Sequence, residues 1–185
     1  GASVQNYVLA KDGQQAETTA AIKAKEITAV ITPNGGTYEG TITPATAVLN
    51  GLVGEDDPEI TLTYTGTAND GTEADGNVPT HAGTYTVTAS ITDGNYSLKA
   101  DGASAQFVVA KADPALSVSA VADKNYGEEA FKLESTNKGD GAKSYTSSDE
   151  NIVTVDENGL VTIVGAGEAT LTVSLAESAN YTAGE

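Results

Sequence analysis

The residues best equipped for chemistry are acidic and clustered: Glu55-Asp56-Asp57, the stretch Asn69-Asp70-Gly71-Thr72-Glu73-Ala74-Asp75, and the pairs Asp149-Glu150 and Asp156-Glu157. Carboxylate and carbonyl oxygens on loops suit a hard cation, which makes Asp70, Glu73 and Asp75 the candidate calcium ligands. Calcium needs about six to eight oxygens converging on one point, however, and none of these stretches carries the glycine and closing glutamate of an EF-hand loop. Turn formation and solubility account for the same residues, so both readings stand. The one histidine, His81, lies in PTHAG. With no second histidine and no cysteine a transition-metal site would need carboxylates alone, and His81 reads as a loop residue.

Catalysis finds less support. A glycosidase sets two carboxylates across a cleft, commonly walled by aromatic rings, but this chain has eight Tyr, two Phe and no Trp. No GxSxG elbow, P-loop or HExxH is present, and GAGEAT (165–170) is a turn leading into a strand with no helix behind it. No catalytic residue is assigned, and the expectation is a protein that is not an enzyme. Tyr38, Tyr64 and Tyr96 are the candidates for contact with a ligand, while core or turn packing is the competing reading of each. A Lys–Asn amide crosslink would need a buried lysine beside a carboxylate, and Lys25 and Lys111 read as strand ends at linkers.

The elements that must position these residues are thin and β-rich. Thr, Ala, Val and Gly dominate the 185 residues, and a net charge of −17 argues against nucleic acid and anionic membrane as partners. There is no cysteine for a disulfide, thiolate site or thiol nucleophile, and no methionine; the absence of both oxidisable residues fits life outside a cell. No apolar run approaches the roughly 20 residues of a membrane span, so membrane insertion is not expected, and an export signal would lie outside this stretch.

One phrase recurs: QNYVLAKDGQ, GNYSLKADGA and ANYTAGE place Tyr7, Tyr96 and Tyr181 at a spacing of roughly 85 to 90 residues. The flanks repeat too. NYVLAKDGQQAETTAAIKAKEIT (6–28) parallels NYSLKADGASAQFVVAKADPA (95–115), and GGTYEG (35–40) parallels DKNYGEEA (123–130). Alternation in Tyr85, Val87, Ala89 and Ile91, in Ile60, Leu62 and Tyr64, and in Leu171, Val173 and Leu175 predicts half-buried strands, with Phe107 and Val109 facing inward. Val153–Val155, DENG and Leu160–Ile163 predict a hairpin. ETTAAIKAKE (17–26) has helical propensity, but its match to AQFVVAKAD predicts a strand.

The stretch SYTSSDENIVTVDENGLVTIVGAGEATLTV (144–173) resembles the group 2 bacterial immunoglobulin-like domains, in its YxSS turn, VxxVD strand and GxGxATxTV strand. VPTHAGTYTVTASITDGNYSL (78–98) resembles the related MBG-type repeats of bacterial surface proteins. The resemblance covers nearly all residues after about 26. It implies an all-β chain of tandem immunoglobulin-like antiparallel β-sandwiches, in an exported bacterial protein, secreted or at the cell surface; it carries over no catalytic, cofactor or ligand residues.

The expected organisation is residues 1–25 as the last hairpin of a preceding repeat, 26–112 as a complete module, and 113–185 as a module lacking its last strand. Residues 4–25 are expected to supply that strand, within the chain or by exchange between chains, because an open edge seeks a partner. Neighbouring repeats are the expected partners. The AK-AD junction at 110–113 leaves little slack, predicting end-to-end stacking. The function expected is a stalk or spacer. The alternative is an adhesin binding a host glycan, mucin or protein through its loops or a threonine face such as Thr84, Thr86 and Thr88.

Overall fold

The computed structural model describes residues 20–185, which form fourteen strands and no helix. The first half contains β1 (Lys25–Thr32), β2 (Gly36–Thr37), β3 (Thr46–Asn50), β4 (Ile60–Ala68), β5 (Gly83–Ile91), β6 (Tyr96–Leu98) and β7 (Ser104–Ala110). The second contains β8 (Ser117–Val118), β9 (Phe131–Lys132), β10 (Ser135–Thr136), β11 (Lys143–Ser147), β12 (Val153–Val155), β13 (Leu160–Ile163) and β14 (Leu171–Leu175).

In the first half a sheet of order β2-β7-β5-β4 lies against a sheet of order β3-β1-β6. Strict alternation makes this possible, because Tyr85, Val87 and Ala89 turn inward while Thr84 and Thr88 face water. Tyr64, Phe107 and Val109 join them, and β1 adds the buried Ile27 and Ala29. The long ladder between β4 and β5, from Ile60 opposite Ile91 to Ala68 opposite Gly83, draws the backbones together at Gly66. That residue has φ +120, and a Cβ there would fall 2.3 Å from the Thr84 carbonyl oxygen.

The second half is built from smaller pieces, β10-β8, β11-β14 and β12-β13-β9, around Leu133, Val161 and Val173. Its β12–β13 hairpin turns where the sequence predicts. Asp156 Oδ1 accepts the Asn158 and Leu160 N–H groups at 2.9 and 2.8 Å, and Gly159 takes φ +79. The Leu160 N–H in particular holds the Asp156 carboxyl below its ordinary value.

The sequence leads to the expectation of purely antiparallel sheets, and two pairings depart from it. β1 runs parallel to β6 through Lys25–Tyr96 and Ile27–Leu98, and β2 runs parallel to β7 through Gly36–Val109. The entering chain crosses from one sheet to the other between Thr32 and Gly36, so each of its two pieces meets a strand running in its own direction. Of the expected strand over 17–26, Lys25 and Glu26 lie in β1 while residues 20–24 are exposed and unpaired, and the expectations placed on residues 1–19 lie outside the described residues.

The recurring phrase has a structural job. The Asn95 carbonyl accepts the Lys25 N–H at 2.7 Å, and the Asn180 carbonyl accepts the Ala112 N–H at 2.8 Å. Tyr96 pairs in parallel with Lys25, and Tyr181 with Ala112. In both places the Asn-Tyr pair clasps the chain where it enters a half.

Candidate functional site

Functional geometry concentrates at the seam between the halves. Its linker is short, Ala110-Lys111-Ala112-Asp113, and each residue is held. The Ala110 carbonyl accepts the Tyr38 N–H at 2.9 Å, and the Ala112 carbonyl accepts the Thr182 N–H at 2.9 Å. The Asp113 carboxylate accepts the Ala115 N–H at 2.6 Å, fixing a turn in which Ala115 adopts φ 50 and Pro114 is buried. Lys111, read from the sequence as a strand-end linker residue, directs Nζ to Glu177 Oε1 at 2.5 Å and to the Ser178 carbonyl at 2.6 Å. Lys25 contributes its backbone to β1.

Two side chains cross the seam. Asn180 is 6% exposed, and its Oδ1 accepts the N–H of the fully buried Ala82 at 2.8 Å. Ala82 lies 98 positions earlier in the chain, at the mouth of β5. The Tyr181 ring meets the Tyr38 ring edge to face, with centroids 5.8 Å apart and planes at 86°. Such a pair contributes about 0.5–1.5 kcal/mol beyond its buried area, and the Asn180 bond about 1 kcal/mol. The partly exposed Lys111–Glu177 pair contributes at most about 1 kcal/mol.

Around the seam the candidate calcium ligands serve their own loop. Asp70 Oδ1 accepts the Thr72 N–H at 3.0 Å, and that bond leads the causes holding its carboxyl below the ordinary value. Asp70 Oδ2 stands 3.1 Å from His81 Nδ1, within ion-pair distance but without the alignment of a hydrogen bond. Glu73 accepts the Thr67 hydroxyl at 2.8 Å, and the Asp75 carbonyl accepts the Asn77 amide at 3.2 Å. Among the described residues no three His, Asp or Glu side chains converge on a point fit for a metal ion.

The three candidate tyrosines do not form a binding platform. Tyr64 is 3% exposed, its hydroxyl accepting the Ala45 N–H at 2.8 Å. Tyr96 is 6% exposed, its hydroxyl accepting the Val53 N–H and donating to Asp56, whose carboxylate raises the tyrosine's pKa. Tyr38 is half-buried, donates to the Gly40 carbonyl at 2.8 Å and belongs to the seam. Burial wins because each ring covers apolar neighbours while its hydroxyl finds a backbone or carboxylate partner at the rim. Among the described residues the exposed tyrosine is Tyr126, at 71%. Sequence reasoning missed Asn180 as a seam residue, although its recurrence at Asn95 was the signal that could have found it.

Residues 125–177 match the family model described as the intimin immunoglobulin-like domain, a domain of bacterial surface proteins. The matched residues contain β9 to β14. No curated protein sequence matches the chain.

Proposed function

We propose that this chain is a non-catalytic spacer in a bacterial cell-surface or secreted protein, built of tandem immunoglobulin-like sandwiches of the group 2 and MBG type. The observation that carries the reading is the seam. A four-residue linker whose backbone is bonded on both sides, with Asn180 and Tyr181 reaching across, leaves little freedom for one half to swing on the other. Relative motion of domains is the ordinary expectation where interfaces are small, so bonds that reach from the end of one half into the mouth of the other favour a fixed angle. The similarity of residues 125–177 to an intimin domain supports the surface setting.

The adhesive alternative has less support, because Tyr64 and Tyr96 are buried and Tyr38 is engaged by Tyr181. Small-angle scattering tests the spacer. The wild-type curve should fit one rigid two-body shape, and the double substitution N180A/Y181A should broaden the distribution of interdomain distances. A wild-type curve that fits only freely jointed bodies refutes the reading. Binding of the wild type to a glycan and mucin array would move the assignment to an adhesin.

A further inference from the structure

Asparagine followed by glycine is a pair in which a chain can react with itself. The asparagine amide carbon and the next backbone nitrogen can close a five-membered ring, and glycine has no Cβ to obstruct the closure. Asparagine is accordingly among the thermally labile residues. Three such pairs occur, Asn34-Gly35, Asn50-Gly51 and Asn158-Gly159, while every other asparagine precedes Tyr, Asp, Val, Lys or Ile. Sequence alone does not rank the three.

The fold does. Ring closure needs a side-chain amide free to swing and a backbone N–H free to give up its proton, and two of the pairs are denied one or both. Asn34 is half-buried, and its Nδ2 donates to the Pro44 carbonyl at 2.6 Å. Gly35 packs so closely on β7 that a Cβ there would fall 2.7 Å from the Val108 carbonyl oxygen, which leaves no room for a ring. Asn158 is exposed, but the Gly159 N–H donates to the Asp156 carbonyl at 3.0 Å. Gly159 is itself buried against the Tyr145 ring, which a Cβ would meet at 2.9 Å.

The third pair meets both conditions. Asn50 is the last residue of β3, opposite Thr28, and its side chain is exposed. Among the described residues neither its side-chain amide nor the Gly51 N–H has a hydrogen-bond partner. Gly51 is exposed with φ +95 where the chain leaves the ladder, and a Cβ there would meet only Ile27 Cγ2, at an ordinary 3.7 Å. We infer that Asn50-Gly51 is a self-modifying site, at which the folded protein converts asparagine to aspartate and isoaspartate.

The Gly51 nitrogen, giving its proton to hydroxide, attacks Asn50 Cγ. A bond from nitrogen to Cγ forms as the Cγ–Nδ2 bond breaks, and Nδ2 leaves as ammonia after taking a proton from water. Water then opens the ring at Cγ, giving aspartate, or at the Asn50 backbone carbonyl, giving isoaspartate, in which the main chain runs through Cβ and Cγ. Water and hydroxide are the only co-reactants. Either product adds a negative charge, just ahead of Glu55-Asp56-Asp57, to a chain already at −17. Isoaspartate also lengthens the main chain at the root of the loop through which the Val53 N–H and the Asp56 carboxylate reach the Tyr96 hydroxyl. A spacer that stays long in place therefore gains charge and slack at this loop with age.

Peptide mapping by mass spectrometry tests this, on the folded 185-residue protein held at mildly alkaline pH and on the same protein held in guanidinium chloride. In the folded protein Asn50 should convert at least about fivefold faster than Asn34 or Asn158, the factor of one hydrogen bond that must open before either of those can react. In denaturant the three rates should draw together. Asn50→Gln, which would have to close a larger ring, should keep the wild-type melting curve and lose the early acidic species seen by ion exchange. A folded protein in which Asn34 or Asn158 converts as fast as Asn50 overturns the inference. So does an order of rates that denaturant leaves unchanged, because the fold would then not be choosing the site, or an early acidic species that persists in Asn50→Gln.

Discussion

Replacing Asn180 by alanine is the most selective way to interrogate the seam. The substitution leaves the Asn180 carbonyl on the Ala112 N–H and so spares the clasp at the chain's entry to the second half. What it removes is Oδ1, the acceptor for the N–H of Ala82. Ala82 is fully buried, and a donor stranded there costs about 1–3 kcal/mol. Such a change corresponds to roughly 5- to 150-fold in an opening equilibrium. The assay is native-state hydrogen exchange, in which the Ala82 amide should lose protection by that factor. The Tyr85 and Val87 amides, inside the β4–β5–β7 ladder, should change far less. Urea denaturation followed by tyrosine fluorescence should show a stability loss in the same range. An Ala82 amide equally protected in N180A would refute the reasoning, because something other than Asn180 would then hold the seam closed.

Gly66→Ala should be far more damaging, costing at least about 3 kcal/mol, since it combines an unfavourable φ with collision against the Thr84 carbonyl and Tyr85 Cα; a melting curve near wild type would contradict the close approach. On the acid side, Asp156 and Asp70 titrate below their ordinary 3.8 because backbone N–H groups of Leu160 and Thr72 favour the charged form. Their contribution is complete above that value and is lost as pH falls through the lower folded-state values, so D156N should flatten the acid limb of a stability profile. On the alkaline side Tyr96, through its bond to Asp56, and Tyr85, through burial, titrate above the ordinary 10.0. Stability should therefore decline as pH rises beyond about 10, and less so in Y96F. Calcium followed by chelator should move the melting temperature by less than about 1 °C, since Asp70, Glu73 and Asp75 serve their own loop; a larger reversible rise would establish a site.

What the sequence made legible was local. Alternation in residues 85–91 identified the buried face of β5, and Asn158-Gly159 identified a turn, because side-chain period and positive φ are written in adjacent residues. The direction of pairing is not written there. Nothing in KEI announces a parallel match to YSL, since a strand's pattern records which face is buried and not which neighbour lies beside it. The seam was harder still, joining Ala82 to Asn180 and Tyr38 to Tyr181 across most of the chain. For the candidate tyrosines, composition gave the ring but not its depth, and an amphipathic ring packs inside whenever its hydroxyl finds a partner at the rim.

The parallel match of β2 with β7 has a mechanical consequence. The chain enters the first half at Lys25, passes into β2, and leaves from the end of β7 at Ala110. A pull on those two points draws β2 and β7 along their lengths in opposite senses, so the bonds at Gly36, Thr37 and Tyr38 lie across the load and share it. Bonds loaded in this shearing manner must give way together, whereas a hairpin pulled from its open end parts one rung at a time. The same short strand that lets the chain change sheets thus acts as a latch against tension.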